Sequence, residues 1–390
     1  MDLIIRHKLL GIIYLLAIFY AFSSMIPLYA ASSFLSHYFN TSNVSLIYLL
    51  GNLLAAFFAI HFISYLHKYH TYKFVSLVII TEIISITAFA LSDNIFVVGA
   101  FFIISLCLMA ITYSIVSIFL EMLAPHKEMG IARGLFSMII GTSSIVSPFI
   151  GAILIESLGY RTMFLISALL LVPFVFILRH YFRHRKEPIY HGINTLKVLT
   201  KALKDKNLKG AMIGIFLVQI FFACLVIFLP LYLTSLGIPL TAYLSIITTI
   251  SLLPFILFPY ELGFLADTKW GEKEMLIIGL IIMSLATLVM SITTTSSILF
   301  WTLIVLVARI GAVLVDTMTA VYFYRKIHAE DSSLVMVSSC ILPSASYVIV
   351  GLFGIILAPL FNTHPSMIFM IVGFITLFGI SYILPIKDTK

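Results

Sequence analysis

Charge is what this chain has least of. Lys, Arg, Asp and Glu together make up 10% of its 390 residues, where soluble domains carry about 25%. Set against 62% hydrophobic residues and a mean hydropathy of +1.15, that is too little charge to clothe a water-facing surface, which excludes a soluble globular domain. Cysteine is equally scarce. Cys107, Cys224 and Cys340 all fall in apolar stretches without metal-ligand spacing, which argues against a disulfide framework or a thiolate metal site. Nothing resembles a glycine-rich nucleotide-binding loop, so ATP is not the expected energy source. The histidines lie nearly all in loops or at the ends of apolar stretches, whereas a membrane-embedded transferase needs His, Asp or Ser gathered at one depth. No enzyme activity, cofactor or metal is expected.

What the chain has is long apolar runs. A bilayer core needs about 20 mostly apolar residues per spanning helix. By that ruler the expected spans are 9–30, 44–66, 74–92, 95–120, 132–155, 161–181, 210–234, 240–262, 274–293, 297–323, 333–360 and 365–385. The expected fold is all-α integral membrane, with twelve transmembrane helices in two six-helix bundles.

The basic residues orient it. If the spans alternate, 21 of the 23 Lys and Arg residues fall on one face; Arg161 lies in an outer loop and Arg309 inside the tenth span. Lys and Arg are retained on the cytoplasmic side, so both termini are expected inside and the protein in the cell membrane. The net charge of +7 then belongs to the inner face and its anionic lipids. No nucleic-acid partner is expected, since the one stretch that interleaves aromatic and basic residues, His67 to Lys73, is a short loop between spans. The longest polar stretch, 182–209, separates an N-terminal bundle, 1–181, from a C-terminal bundle, 210–390. From Asn194 to Lys209 it places Leu196, Leu199 and Leu203 on one helical face, the pattern of a helix lying on the membrane surface; a solvated basic linker fits as well.

The two halves resemble each other. Pro27-Leu28-Tyr29 returns as Pro230-Leu231-Tyr232, the turn near Leu66 as the turn near Leu265, and Gly151 as Gly351, each about 200 residues later. Parallel six-span repeats are a known transporter layout. Between the eighth and ninth spans, Gly263-Phe264-Leu265-Ala266-Asp267-Thr268-Lys269-Trp270-Gly271-Glu272-Lys273 resembles the G-x-L-A-D-x-x-G-x-K loop of the major facilitator superfamily. The run from Pro125 to Phe164 resembles the same family's fourth loop and fifth and sixth spans. Within it, Ser147-Pro148-x-x-Gly151-Ala152 is similar to the G-P-x-x-G-G motif of drug antiporters, with Ser and Ala replacing two glycines. In the equivalent first-half loop, Ser64 to Lys73, Lys68 takes the Asp position. The resemblance implies a pseudo-symmetric pair of bundles that rock about a central substrate path. It implies that Gly263, Asp267, Gly271 and Lys273 form a gating loop, and that the first, fourth, seventh and tenth spans line the path.

Ionisable side chains deep in a span cost at least ~2.5 kcal/mol each and are functional candidates by default. Glu121, Glu156, Glu261 and Asp267 lie near span ends; Glu82, Arg309 and Asp316 lie deep. Arg309 and Asp316 share nearly one helical face but stand about 10 Å apart along the axis, too far to pair directly. The functional reading has Asp316 carry a proton and Arg309 orient or neutralise an anionic group. The structural alternative has both pin helices together. For Glu82, on a span the family uses for outer support, the structural reading leads. Asn52, Tyr113, Gln219 and Tyr322 complete the candidate set for substrate contact or proton coupling, though neutral groups in lipid also glue helices. Pro27, Pro148, Pro230, Pro254 and Pro343 are expected to bend their spans. The expected function is secondary transport by alternating access: proton-coupled efflux of a hydrophobic compound or, as the alternative, uptake of a sugar, nutrient or small organic anion. The expected partners are a small-molecule substrate, the lipid bilayer and protons, and the chain is expected to act as a monomer.

Overall fold

The fold is given by a computed structural model that describes residues 3–68, 71–123, 129–183, 199–200, 203–259, 261–262, 265, 271–326, 337–361 and 366–385. All regular structure among them is helical. Nine of these helices are long and apolar enough to cross a membrane. One of them, Gly134–Phe182, is 49 residues long, enough for two crossings. With the shorter apolar helices Leu342–Leu357 and Met367–Ile383 this gives the twelve expected spans in order. Large apolar side chains face outward along them, among them Phe57, Phe96, Leu169, Phe176 and Phe378, as lipid-facing surfaces require.

The fifth and sixth spans are two helices within Met129–Phe182 that meet directly at a kink. The break is a single residue, Gly159, at φ 80 and ψ 170, a conformation that side-chain-bearing residues rarely adopt. Beside it, the Arg161 guanidinium pairs with Asp93 at the surface. The prolines divide into two groups. The seventh span breaks at Phe228, just before Pro230, and the eighth, Leu240–Leu257, carries a π-helical turn at Tyr243–Thr248 and a break before Pro254. A second π turn, Val337–Ile341, precedes Pro343. Pro27 and Pro148 stay inside continuous helices. Of the expected surface helix from Asn194 to Lys209, residues 194–198 and 201–202 lie outside the described residues. What is described shows Asp205 ending any helix there, because its carboxylate caps the amides of Asn207 and Leu208 and starts Lys206–Ile227 anew.

The chain divides into two compact units: Met1–Leu28 with Leu50–Ile193, and Tyr29–Leu49 with Asn194–Lys390. In the first, the Ser23 hydroxyl donates to the Ser167 carbonyl at 2.8 Å and Ser167 returns the bond to Ser23, tying the first span to the sixth. Gly151 lets the fifth span meet the first, since a Cβ there would sit 2.8 Å from the Ile26 carbonyl oxygen. Tyr20 donates to the Met109 carbonyl at 3.0 Å, and Phe89 packs edge-on against Phe164. In the second unit, the ninth span (Glu272–Ile292) and tenth span (Ile298–Lys326) touch backbone to backbone through Gly279 and Gly311. Ser284 donates to the Gly373 carbonyl at 2.7 Å, joining the ninth span to the twelfth, and Ser346 donates to the Phe216 carbonyl at 3.2 Å, joining the eleventh to the seventh. Tyr29–Leu49 packs within this unit: Ser32 donates to the Val226 carbonyl at 3.3 Å, and Gly351 and Gly354 receive Leu49 and Ser45.

Candidate functional site

The tenth span is apolar from Ile298 to Ala320 apart from two charges, Arg309 and Asp316. Its helix is continuous, so both keep the spacing read from the sequence. Arg309 is 3% exposed. Its Nη2 donates to the Tyr29 hydroxyl at 3.1 Å. The guanidinium carbon stands 5.4 Å from the centroid of the Tyr29 ring and 5.8 Å from that of Phe222, within cation–π range of both. Tyr243 and Tyr347 lie within electrostatic reach of the same charge, and Tyr347 is stacked on Tyr48 at 6.3 Å and 19°. Arg309 Nε is buried and has no hydrogen-bond partner among the described residues. No carboxylate pairs with Arg309 among the described residues; Arg161–Asp93 is the ion pair found there.

This cluster draws on five helices and one connection. Tyr29 follows the first span, Tyr48 sits on the second, Phe222 on the seventh, Tyr243 on the eighth, Arg309 on the tenth and Tyr347 on the eleventh, and all belong to the second unit. A guanidinium remains charged at any physiological pH, and removing it from water costs several kcal/mol. Two ring faces and one neutral hydroxyl offset part of that cost. A negatively charged group would offset the rest.

Asp316 lies two turns along the same helix and is half-buried. Its carboxylate makes no hydrogen bond or ion pair among the described residues; its backbone carbonyl accepts from Thr319 at 3.0 Å. Gln219 is half-buried on the seventh span, three residues before Phe222 and therefore on the same helical side. Tyr322 is fully buried. The remaining candidates belong to the first unit. Glu82 is 2% exposed and accepts a 2.7 Å hydrogen bond from Thr112 of the fourth span. Tyr113 is half-buried, with its ring 6.2 Å from those of Tyr20 and Phe136, and Asn52 is buried.

Of the gating-loop residues, Gly263 and Asp267 lie outside the described residues. Gly271 sits at the N-cap of the ninth span, and Lys273 is half-buried in its first turn. Between them, Glu272 is completely buried, at the helix end where the backbone dipole favours an anion. Sequence reasoning passed over Glu272 because its neighbours in the motif drew attention. It passed over Tyr29 for another reason: 280 positions separate that residue from Arg309, and no local pattern reports such a partner. The repeat Pro27-Leu28-Tyr29 was the available signal, yet the copy has diverged in use. Tyr232 donates to the Thr293 carbonyl at 2.6 Å and packs edge-on against Trp301. Gly151 and Gly351 likewise both admit a close neighbour, but of different spans.

Twelve spans in two compact units, with charges placed inside an apolar helix, define a polytopic membrane protein of transporter fold. The chain belongs to the Major Facilitator Superfamily, whose family pattern matches residues 13–341. No curated protein sequence matches it significantly. Its fold is similar to that of a mutant of the nucleoside transporter NupG, with a TM-score of 0.73 and 12% identity over 96% of this chain and 99% of that one. A POT family transporter in complex with 5-aminolevulinic acid gives 0.72 and 14%, covering 97% and 95%. A bacterial homolog of the human lysosomal transporter Spinster, inward-facing and unoccupied, gives 0.64 and 14%, covering 98% and 95%.

Proposed function

We propose that the protein is a secondary active transporter that moves a small, largely apolar molecule across the cell membrane by alternating access, coupled to protons. The observation that carries this reading is the tenth span of a superfamily member: two ionisable groups within an apolar helix, neither neutralised by an opposite charge among the described residues. Keeping such groups in a span is costly unless they act. Asp316 is the proton carrier in this proposal, and Arg309 meets the substrate. Asp267, Gly263, Gly271 and Lys273 are proposed as the inner gate, as the loop motif implies. Ser147-Pro148-x-x-Gly151-Ala152 favours export as the direction. Uptake of a nutrient or small organic anion is the second reading, and the unneutralised Arg309 favours an anion.

Purified protein in proteoliposomes tests the coupling. Asp316→Asn is expected to abolish flux driven by a pH gradient while leaving substrate exchange measurable. Unchanged gradient-driven flux in that variant removes Asp316 from the mechanism.

A further inference from the structure

We propose that Arg309 and the rings around it form the recognition site for a small aromatic monocarboxylate. The inference rests on the transporter reading for its physiological role and deepens it by naming the substrate class. Its first support is the orphaned donor. Arg309 is nine-tenths buried or more, and its Nε–H has no acceptor among the described residues. Nε–H and one Nη2–H point along the same edge of the guanidinium plane, the edge that a carboxylate bridges with two parallel bonds. The Tyr29 hydroxyl, a neutral acceptor, holds only Nη2. The Nε–H on that edge is left open among the described residues.

Charge sets the valence of the ligand. One guanidinium stands without a carboxylate among the described residues, and the next ionisable group on its helix, Asp316, lies about 10 Å along the axis. A monoanion cancels that charge. A dianion such as a phosphate monoester would bring one buried negative charge too many, and a neutral molecule would leave the guanidinium as it is.

The rest of the surroundings set the body of the ligand. Tyr29 and Phe222 present faces to the cation. Buried Tyr243 and half-buried Tyr347 lie within its electrostatic reach, and buried Tyr48 stacks on Tyr347. Such rings accept a flat apolar body by offset or edge-on packing. Their hydroxyls are the polar groups that position it.

The test is ligand-induced thermal stabilisation of the purified full-length protein in detergent. The probes are benzoate, phenylacetate, salicylate and indole-3-acetate, each against its neutral amide, with cyclohexanecarboxylate and phthalate as aliphatic and dianionic controls. At least one aromatic monocarboxylate is expected to raise the unfolding temperature in a saturable way, and its amide and phthalate are not. Arg309→Gln is expected to weaken that binding about 100-fold. Arg309→Lys keeps the charge but loses the fork, and about 10-fold weakening is expected; this variant serves if the glutamine form does not fold. The proposal is overturned if no carboxylate stabilises the wild type, if amides and acids bind alike, or if both variants bind like wild type. Counterflow of the bound acid in proteoliposomes separates the two claims. Arg309-dependent binding without counterflow refutes transport and keeps the recognition site; flux of a neutral compound with no carboxylate bound does the reverse.

Discussion

Gly311 stands two residues beyond Arg309 and five before Asp316, at the point where the tenth span lies against the ninth. A Cβ added there would sit 2.6 Å from both the Gly279 carbonyl oxygen and the Met283 amide nitrogen, and 3.0 Å from Met283 Cβ. Carbon needs about 3.5 Å from such neighbours, so Gly311→Ala must part the helices locally by about 1 Å. Overpacking of this kind costs about 1–3 kcal/mol. The two nearest atoms are backbone and cannot rotate away, so the upper value is expected, about 3 kcal/mol. Gly134→Ala is the matched control, because a Cβ there meets nothing within 4 Å. It is expected to gain about 0.5–1 kcal/mol from reduced backbone freedom in the unfolded state. Unfolding is followed by tryptophan fluorescence in mixed micelles, for which Trp301, fully buried in the same span, is a suitable reporter. Equal stability of the two alanine variants within about 0.5 kcal/mol refutes the packing argument. If the tenth span is displaced as argued, Gly311→Ala also weakens carboxylate binding, although no ligand touches residue 311.

Two further outcomes concern polar pairs. Thr112 supplies the hydrogen bond that Glu82 accepts in the first unit, so Thr112→Val is expected to cost about 1–3 kcal/mol. The same change made in Glu82→Leu should cost at least about 1 kcal/mol less, and equal costs in both backgrounds show that the pair is not coupled. The exposed pair Arg161–Asp93 is predicted to matter little: Asp93→Asn changes stability by less than about 0.5 kcal/mol, and a loss above about 1 kcal/mol contradicts its assignment to the surface.

The spans were legible because the bilayer sets a length that few other constraints imitate. Twenty apolar residues in a row have one economical fate, and each expected span has its helix. The spans 132–155 and 161–181 fall in the single stretch Gly134–Phe182, and the expected start at 333 lies outside the described residues. The junction at Gly159 was hidden, because a glycine in a polar stretch looks like any loop until its φ is known. The π turn at Tyr243–Thr248 was hidden too, since one extra residue in a helical turn leaves no trace in an apolar pattern. At the site, Arg309 and Asp316 stood out by their cost in lipid. Tyr29 did not, because tyrosine is common at span ends, and Tyr347 did not, because a neutral ring within a span draws no notice until tertiary packing sets its partner. Charge inside a span announces itself; the rings that receive it do not.

Alternating access through the tenth span is the central claim, and side-specific labelling tests it most directly. Thr317→Cys and Ala320→Cys, half-buried on the turn around Asp316 and the next, are made singly in a background where Cys107, Cys224 and Cys340 are replaced by serine. Each is exposed to a membrane-impermeant maleimide from one side at a time. Labelling is expected from either face of the membrane, with a bound substrate shifting the balance between them. Reactivity from one face alone under every condition, with or without ligand, contradicts the claim.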